Sequence, residues 1–179
     1  MTPDALSLSL TLTDPWVGPK PIRLRIMEAI GQRLSRISIA NGYLTDSAAT
    51  VWYGRLVDPE PASLPMLNYW DGHEDARKDA FGSVVKTVTV TVEMYDKFDS
   101  DDPATSLPFV ANRMLADAER AMMFDLTDAL DPTLGDLAES LTYVASDLVF
   151  GVRPELWVGM VSEWQVSYRN PLGQPNDRN

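Results

Sequence analysis

His73 is the only histidine in the 179-residue chain, and it stands beside two carboxylates, Glu74 and Asp75. A Ser-His-Asp triad would have to use it. A single histidine excludes zinc sites built from several histidines, and the absence of cysteine excludes thiolate metal sites and disulfides. His73 lies in a densely charged stretch, and such stretches are usually solvated surface. The histidine therefore indicates no particular reaction.

Other motifs for catalysis are equally uninformative. The chain has 26 acidic residues, so pairs of carboxylates suited to acid–base catalysis arise by chance. The sequence contains neither of the common glycine-rich phosphate-binding patterns, G-x-G-x-x-G and G-x-x-x-x-G-K-[S/T]. We therefore expect a protein that is not an enzyme, with no catalytic residues, no metal site and no cofactor.

Four aromatic residues could form a stacking platform: Trp52, Tyr53, Tyr69 and Trp70. At strand spacing and among β-branched residues, aromatics more often belong to a core or to a protein interface. We take Trp52 and Tyr53 as candidates for a subunit interface.

The net charge of −11 argues against binding of nucleic acid, which requires clustered Lys and Arg. The charges are unevenly distributed. Between residues 20 and 36 the basic residues are Lys20, Arg23, Arg25, Arg33 and Arg36, whereas acids dominate from Asp96 to Asp147. One interpretation is that both regions are solvated helix faces. Another is that the basic and acidic regions meet across a subunit boundary. A third is that the acidic region faces a negatively charged partner to which it must not bind.

Periodicity predicts the elements that must carry these residues. Apolar residues at helical spacing predict a first helix from Pro21, ended by Asn41-Gly42. A second helix is predicted from about Ser106 to Leu126. Strands are predicted at 49–56, 66–70, 84–94, 141–150 and 156–169, with a polar loop at 71–82. Residues 1–18 are predicted to form an arm or a short edge strand, and residues 170–179 a flexible tail.

This element order predicts an α+β fold in a single domain that spans residues 1–179. Consecutive strands joined by short turns favour a mostly antiparallel sheet of about four to five strands, with two main helices packed on it. We find no secretory signal and no apolar run of the roughly 20 residues needed to cross a bilayer. We therefore expect a protein without a membrane-spanning segment.

The order of features resembles the tail terminator (tail-completion) proteins of long-tailed phages, siphovirus-like or myovirus-like, and of related particles. The resemblance spans roughly residues 20–170. It rests on the first helix and the turn Asn41-Gly42-Tyr43-Leu44-Thr45-Asp46, the proline-flanked strand at Leu64-Pro65-Met66-Leu67, the long strand Val88–Tyr95, and a helix with Ala111, Leu115, Asp117 and Ala118. A final strand ends in Val166-Ser167-Tyr168-Arg169.

The resemblance implies a structural virion protein at the tail–neck junction, assembled in the host cytoplasm. It implies a homohexameric ring that ends tail-tube growth, contacts the tail tube protein and a neck or head-completion protein, and passes double-stranded DNA without specific binding. Another neck or minor tail component, such as a head–tail joining protein, is the alternative, and a small enzyme is a more distant one.

Within that picture we predict three groups of site residues. The assembly loop candidates are Asp71, Arg77, Lys78 and Phe81. The interface candidates are Arg25, Arg33, Arg36, Trp52 and Tyr53. The candidates for the channel lining are Asp96, Asp99, Asp101, Asp102, Asp125, Asp128, Asp131 and Asp136, because carboxylates repel DNA phosphates and leave the genome mobile.

Overall fold

The computed structural model describes residues 18–55, 63–79, 82–97, 106–151 and 157–176. These residues form a five-stranded, mostly antiparallel sheet with two helices packed on it, which confirms the predicted α+β class. The elements are α1 (Ile22–Leu34), β1 (Val51–Tyr53), β2 (Met66–Lys78), β3 (Ser83–Lys97), α2 (Leu107–Met123), β4 (Ser140–Gly151) and β5 (Trp157–Pro171). Two short 3-10 helices, Ile39–Asn41 and Ser47–Ala49, lie between α1 and β1.

The strand order is β1-β2-β3-β5-β4, and only the β1–β2 pair is parallel. The long central pair β3–β5 sets the register, with Val88 opposite Val166 and Val90 opposite Trp164. Strand β4 lies at the end of the sheet, where it pairs with β5 alone among the described strands.

The core lies between one sheet face and the two helices. Val88, Val90, Val92 and Met94 are fully buried, as the alternation in β3 predicts. The predicted inward face of α2 is also confirmed, because Met114, Ala118 and the other expected positions are buried. Neither these helices nor any other among the described residues is long and apolar enough to cross a membrane.

The predicted polar loop at 71–82 is wrong, because β2 continues to Lys78. Its charged residues pair in register with β3, from Glu74 opposite Val88 to Lys78 opposite Val84. A bulge between Asp71 and Glu74 shifts the register and interrupts the alternation of apolar and polar residues that is typical of a strand with one buried face. The hairpin closes with the Ser83 amide, which donates to the Asp79 carboxylate. Of the assembly loop candidates, Asp71, Arg77 and Lys78 therefore lie in a strand, and Phe81 lies outside the described residues.

Three other boundaries differ from the prediction. Helix α1 ends at Leu34, and Gly42, with φ +79°, ends a separate 3-10 helix instead. Strand β1 has only three residues. Residues 170–175 are not a loose tail, because Asn170 is buried and the Ile22 amide donates to the Pro175 carbonyl at 3.0 Å. Of the arm predicted at residues 1–18, all but Gly18 lies outside the described residues, as do residues 177–179.

Candidate assembly surfaces

The bulge in β2 carries a network of charged side chains that periodicity could not reveal. Arg23 on α1 donates to the carboxylates of Asp71 and Glu74 and to the Gly72 carbonyl. Tyr53 donates to Asp71 at 2.6 Å, and Tyr168 donates to Glu74. Lys86 adds an ion pair with Glu74 at 3.1 Å. The partners lie on α1, β1, β2, β3 and β5, so the network fastens the first helix to the sheet.

This environment shifts the pKa values of both carboxyls downward. Burial alone would raise the pKa of Asp71, but hydrogen bonds from Tyr53 and Arg23 outweigh it and lower that pKa. Burial likewise opposes the hydrogen bonds that Tyr168 and Lys86 make with Glu74, and the net pKa of Glu74 is lowered. Burial and the bond to Glu74 together raise the pKa of Tyr168, which stays protonated as the donor.

We expect these two carboxyls to contribute to acid unfolding. Their folded-state pKa values lie below the unfolded values of about 3.9 and 4.3, so the unfolded chain binds more protons as pH falls. Their contribution to the free energy of unfolding is present at neutral pH and is lost progressively as the pH falls below about 5. The double variant Asp71→Asn/Glu74→Gln should therefore lose less stability than wild type between pH 6 and pH 3, as measured by urea unfolding.

The exposed neighbour variant Asp75→Asn is the control for that experiment and should retain the wild-type pH dependence. The network would not be a source of acid sensitivity if the double variant and wild type lost equal stability over this range.

The turn Asn41–Asp46 is fastened to α2 by three side chains. The buried carboxylate of Asp117 accepts from the Leu44 amide at 2.9 Å and from the Thr45 hydroxyl at 2.8 Å. Arg113 donates to the Leu44 carbonyl, and Arg120 donates to the Gly42 carbonyl at 2.7 Å. This turn, which together with the element order carries the resemblance to tail terminators, is thus fastened to the second helix.

Arg33 is buried within the chain's own fold, so its prediction as an interface residue is wrong. Its side chain is 5% exposed. The guanidinium donates to the carbonyls of Met122 and Asp131, both at 2.8 Å, and to the Asp131 carboxylate at 2.5 Å. It thereby satisfies a carbonyl in the last turn of α2 that has no partner within the helix. The ion pair between Arg33 and Asp131 therefore joins the basic first helix to the acidic region within one chain.

The other interface candidates differ in their surroundings. Arg25 is exposed, whereas Arg36 donates to the Asp125 carbonyl at 2.7 Å. Trp52 is 43% exposed and lies under the guanidinium of Arg55, 4.8 Å from the ring centroid. Tyr53 is half exposed, although its hydroxyl is held by Asp71. Arg25, Trp52 and Tyr53 thus remain accessible to a neighbouring molecule.

Two of the channel candidates have structural roles. Asp125 accepts from Thr127 and from the amide of Ala129, and the Thr127 hydroxyl is the main cause of its lowered pKa. Asp131 accepts from Arg33, Thr133 and the Gly135 amide. These bonds shape the loop that follows α2.

The remaining channel candidates differ in exposure. Asp96 is partly buried, and burial raises its pKa. Asp128 and Asp136 are exposed. Asp99, Asp101 and Asp102 lie outside the described residues. Of the described candidates, Asp128 and Asp136 are therefore the two whose side chains are exposed.

His73 is exposed, and its described partner is the equally exposed Asp75, at 3.2 Å. Within the ranges that the structure covers, no group of three or more His, Asp or Glu side chains is arranged to hold a metal ion. No protein-family model matches the chain, and no curated protein sequence matches it significantly.

The surface carries several large apolar side chains. Some lie on β4, on β1 and in the first turn of α2, and others lie in the segments that connect or follow the helices and strands. They are Ile39, Leu44, Trp52, Tyr53, Phe109, Leu126, Leu130, Tyr143, Val144, Leu148 and Leu172. Exposed apolar groups that cluster along one element are typical of a surface that another molecule covers.

Proposed function

We propose that the protein is a structural component of a tailed-phage particle. It caps the tail tube, ends tube polymerisation and joins the tail to the neck or head, leaving a channel for double-stranded DNA. The α+β class and the order of helix, turn, strands, helix and final strand agree with the resemblance on which this proposal rests.

The observation that carries the proposal is the edge strand β4 with its exposed apolar side chains. Strand β4 is the last strand on one side of the described sheet. Its residues Val144 and Leu148 are 46% and 47% exposed to solvent. An edge strand with exposed apolar side chains is a liability in a monomer, because it can pair with other chains, and assembly covers it. Ile39, in the first 3-10 helix, and Leu44, in the turn held by Asp117 of α2, add further exposed apolar surface.

The charge of the chain also supports this role. A channel lined by carboxylates repels the phosphates of the passing genome, whereas Lys and Arg would hold them. Asp128 and Asp136 are the described candidates for that lining. Asp128 lies 3.5–3.6 Å from Arg36 and Arg120, so part of its charge is neutralised locally. Asp136 is therefore the better candidate of the two.

We expect the protein to occupy one layer of the particle, between tail tube and neck, as a ring of six copies. The hexamer mass would be six times 19.9 kDa, which is 119.4 kDa. A reconstruction of the tail–neck junction tests this, and particles that lack the protein should carry tails of uncontrolled length. The same map would show whether Asp136 faces the channel.

A symmetry other than sixfold or threefold in that layer would overturn the ring. A position elsewhere in the neck, with normal tail length in its absence, would instead indicate a head–tail joining component. Light scattering of the purified protein is a weaker test, because a ring that forms only on the tube leaves a monomer in solution.

A further inference from the structure

Both edges of the described sheet have room for a further strand. On one side, β4 pairs with β5 and with no other described strand. On the other side, the short strand β1 pairs only with residues 67–69 of β2, so no described strand covers the outer side of residues 72–78. Within that stretch every residue except Glu74 is exposed. A sheet with two such edges can continue from one molecule into the next through main-chain hydrogen bonds.

The two edges carry opposite charges. The single charged residue of β4 is Asp147, and its side chain is exposed. The uncovered part of β2 ends in Arg77 and Lys78, which are exposed as well. Of the two acids in the same stretch, Glu74 and Asp75, the first is held by ion pairs within the chain. Charges on an edge strand discourage unselective pairing, but an opposite charge directly across the strands favours it.

The alternation of side chains puts the complementary charges on the same face of the sheet. Leu148 lies opposite a buried residue of β5 and faces the helices, so Asp147 lies on the other face. In β2 the same alternation, counted from the residue opposite the buried Val88, puts Ala76 on the helix side and Arg77 on the other face. Two copies that continue one sheet with their helices on the same side therefore bring Asp147 and Arg77 together.

The strand directions fit the same arrangement. Strand β2 is antiparallel to β3, β3 to β5, and β5 to β4, so β2 and β4 run in opposite directions. A neighbour in the same orientation therefore places its β2 antiparallel to β4. Head-to-tail contacts of this kind generate rings, whereas pairing of β4 with the β4 of a second copy would leave the basic end of β2 uncovered.

We propose that β4 of one copy pairs antiparallel with β2 of the next copy, with Asp147 opposite Arg77 and Leu148 opposite Ala76. The partner is thus a second copy of this chain, and the small Ala76 leaves room for the exposed Leu148. The proposal rests on the proposed function, because it names the contact between neighbouring copies of the ring.

Charge and face together select this register. A shift by two residues in either direction would put Asp147 opposite Asp75 or opposite Asp79, and like charges directly across a strand pair are destabilising. A shift by one residue would bring side chains of opposite faces into register. Among the neighbouring registers, only the proposed one gives Asp147 a cation on its own face.

Disulfide trapping tests the contact, and the chain has no native cysteine to interfere. Mixing the single variants Ala76→Cys and Leu148→Cys, or Arg77→Cys and Asp147→Cys, allows a bond only between molecules. Adjacent pairs alternate in separation across antiparallel strands, so at least one mixture should link. It should do so at least about tenfold faster than the same β2 variant mixed with the exposed control Glu119→Cys, because directly opposite Cβ atoms lie only about 4.5–5.5 Å apart.

Trapping captures even a weak encounter, so the outcome does not depend on a ring that is stable in solution. Linking no faster than the Glu119→Cys control in both mixtures would overturn the proposal. Faster linking of Leu148→Cys to itself than to Ala76→Cys would instead indicate pairing of β4 with β4, and would also overturn it.

Charge reversal tests the register. We expect Arg77→Asp in the Ala76→Cys chain to slow linking to Leu148→Cys by about fivefold, because a favourable cross-strand pair becomes a repulsive one. Adding Asp147→Arg to the Leu148→Cys chain should restore the rate. Both positions are exposed, so the variants should keep the stability of wild type within about 0.5 kcal/mol. A slow rate that the second reversal does not restore would overturn the register.

The position of the protein in a particle separates this contact from the proposed function. Efficient linking of Ala76→Cys to Leu148→Cys in a protein that is absent from the tail–neck junction would overturn the function and support the contact. A ring at that junction whose neighbouring copies keep Ala76 and Leu148 apart would overturn the contact alone.

Discussion

Replacing Arg33 by Met should lower the free energy of unfolding by about 3–5 kcal/mol, because the change removes one partner of a buried ion pair. Met fills much of the same volume but donates no hydrogen bond. The carbonyls of Met122 and Asp131 would lose their donors, and the Asp131 carboxylate would lose its cation. With total stabilities of about 5–15 kcal/mol for typical domains, this is a large share.

The same helix supplies the control for Arg33→Met. Arg25→Met makes the same chemical change at an exposed position and should alter stability by no more than about 0.5 kcal/mol. Chemical denaturation of both variants measures the difference. Equal effects would mean that the hydrogen bonds of Arg33 contribute little beyond the packing of its stem.

Replacing Asp117 by Ala should lower the free energy of unfolding by about 2–3 kcal/mol. The variant leaves the Leu44 amide without its acceptor, and each buried polar group without a partner costs about 1–3 kcal/mol. Thr45 keeps one partner, the Ser47 hydroxyl at 2.8 Å, which limits the loss at that residue. Hydrogen exchange in the turn Asn41–Asp46 should rise more than exchange in the sheet.

Glu119→Ala is the matched variant for Asp117→Ala, because it removes an exposed carboxylate two residues further along α2. It should leave both stability and exchange in the turn close to wild type. A similar loss of stability in the two variants would point to the total charge of α2, and not to the contacts of Asp117, as the cause.

The amino-acid sequence alone determined the parts of the fold that repeat locally. The alternation through Val88 and Met94 predicts the central strand and its buried face, and the helical spacing around Met114 predicts the inward face of α2. These predictions hold because the side-chain period of an element that lies on a core is set by its own backbone geometry.

The tertiary structure decided where the charged residues lie. The stretch from Asp71 to Lys78 is too polar to predict as a strand, yet β3 pairs with it, and partners such as Arg23, 48 residues from Asp71 along the chain, neutralise its acids. Arg33 looks like a surface residue in the sequence, but the last turn of α2 and the loop that follows it bring the Met122 carbonyl and Asp131 to its guanidinium. Such contacts join distant segments and leave no periodic pattern in the sequence, so only the folded chain shows which charged side chains are buried and which are exposed.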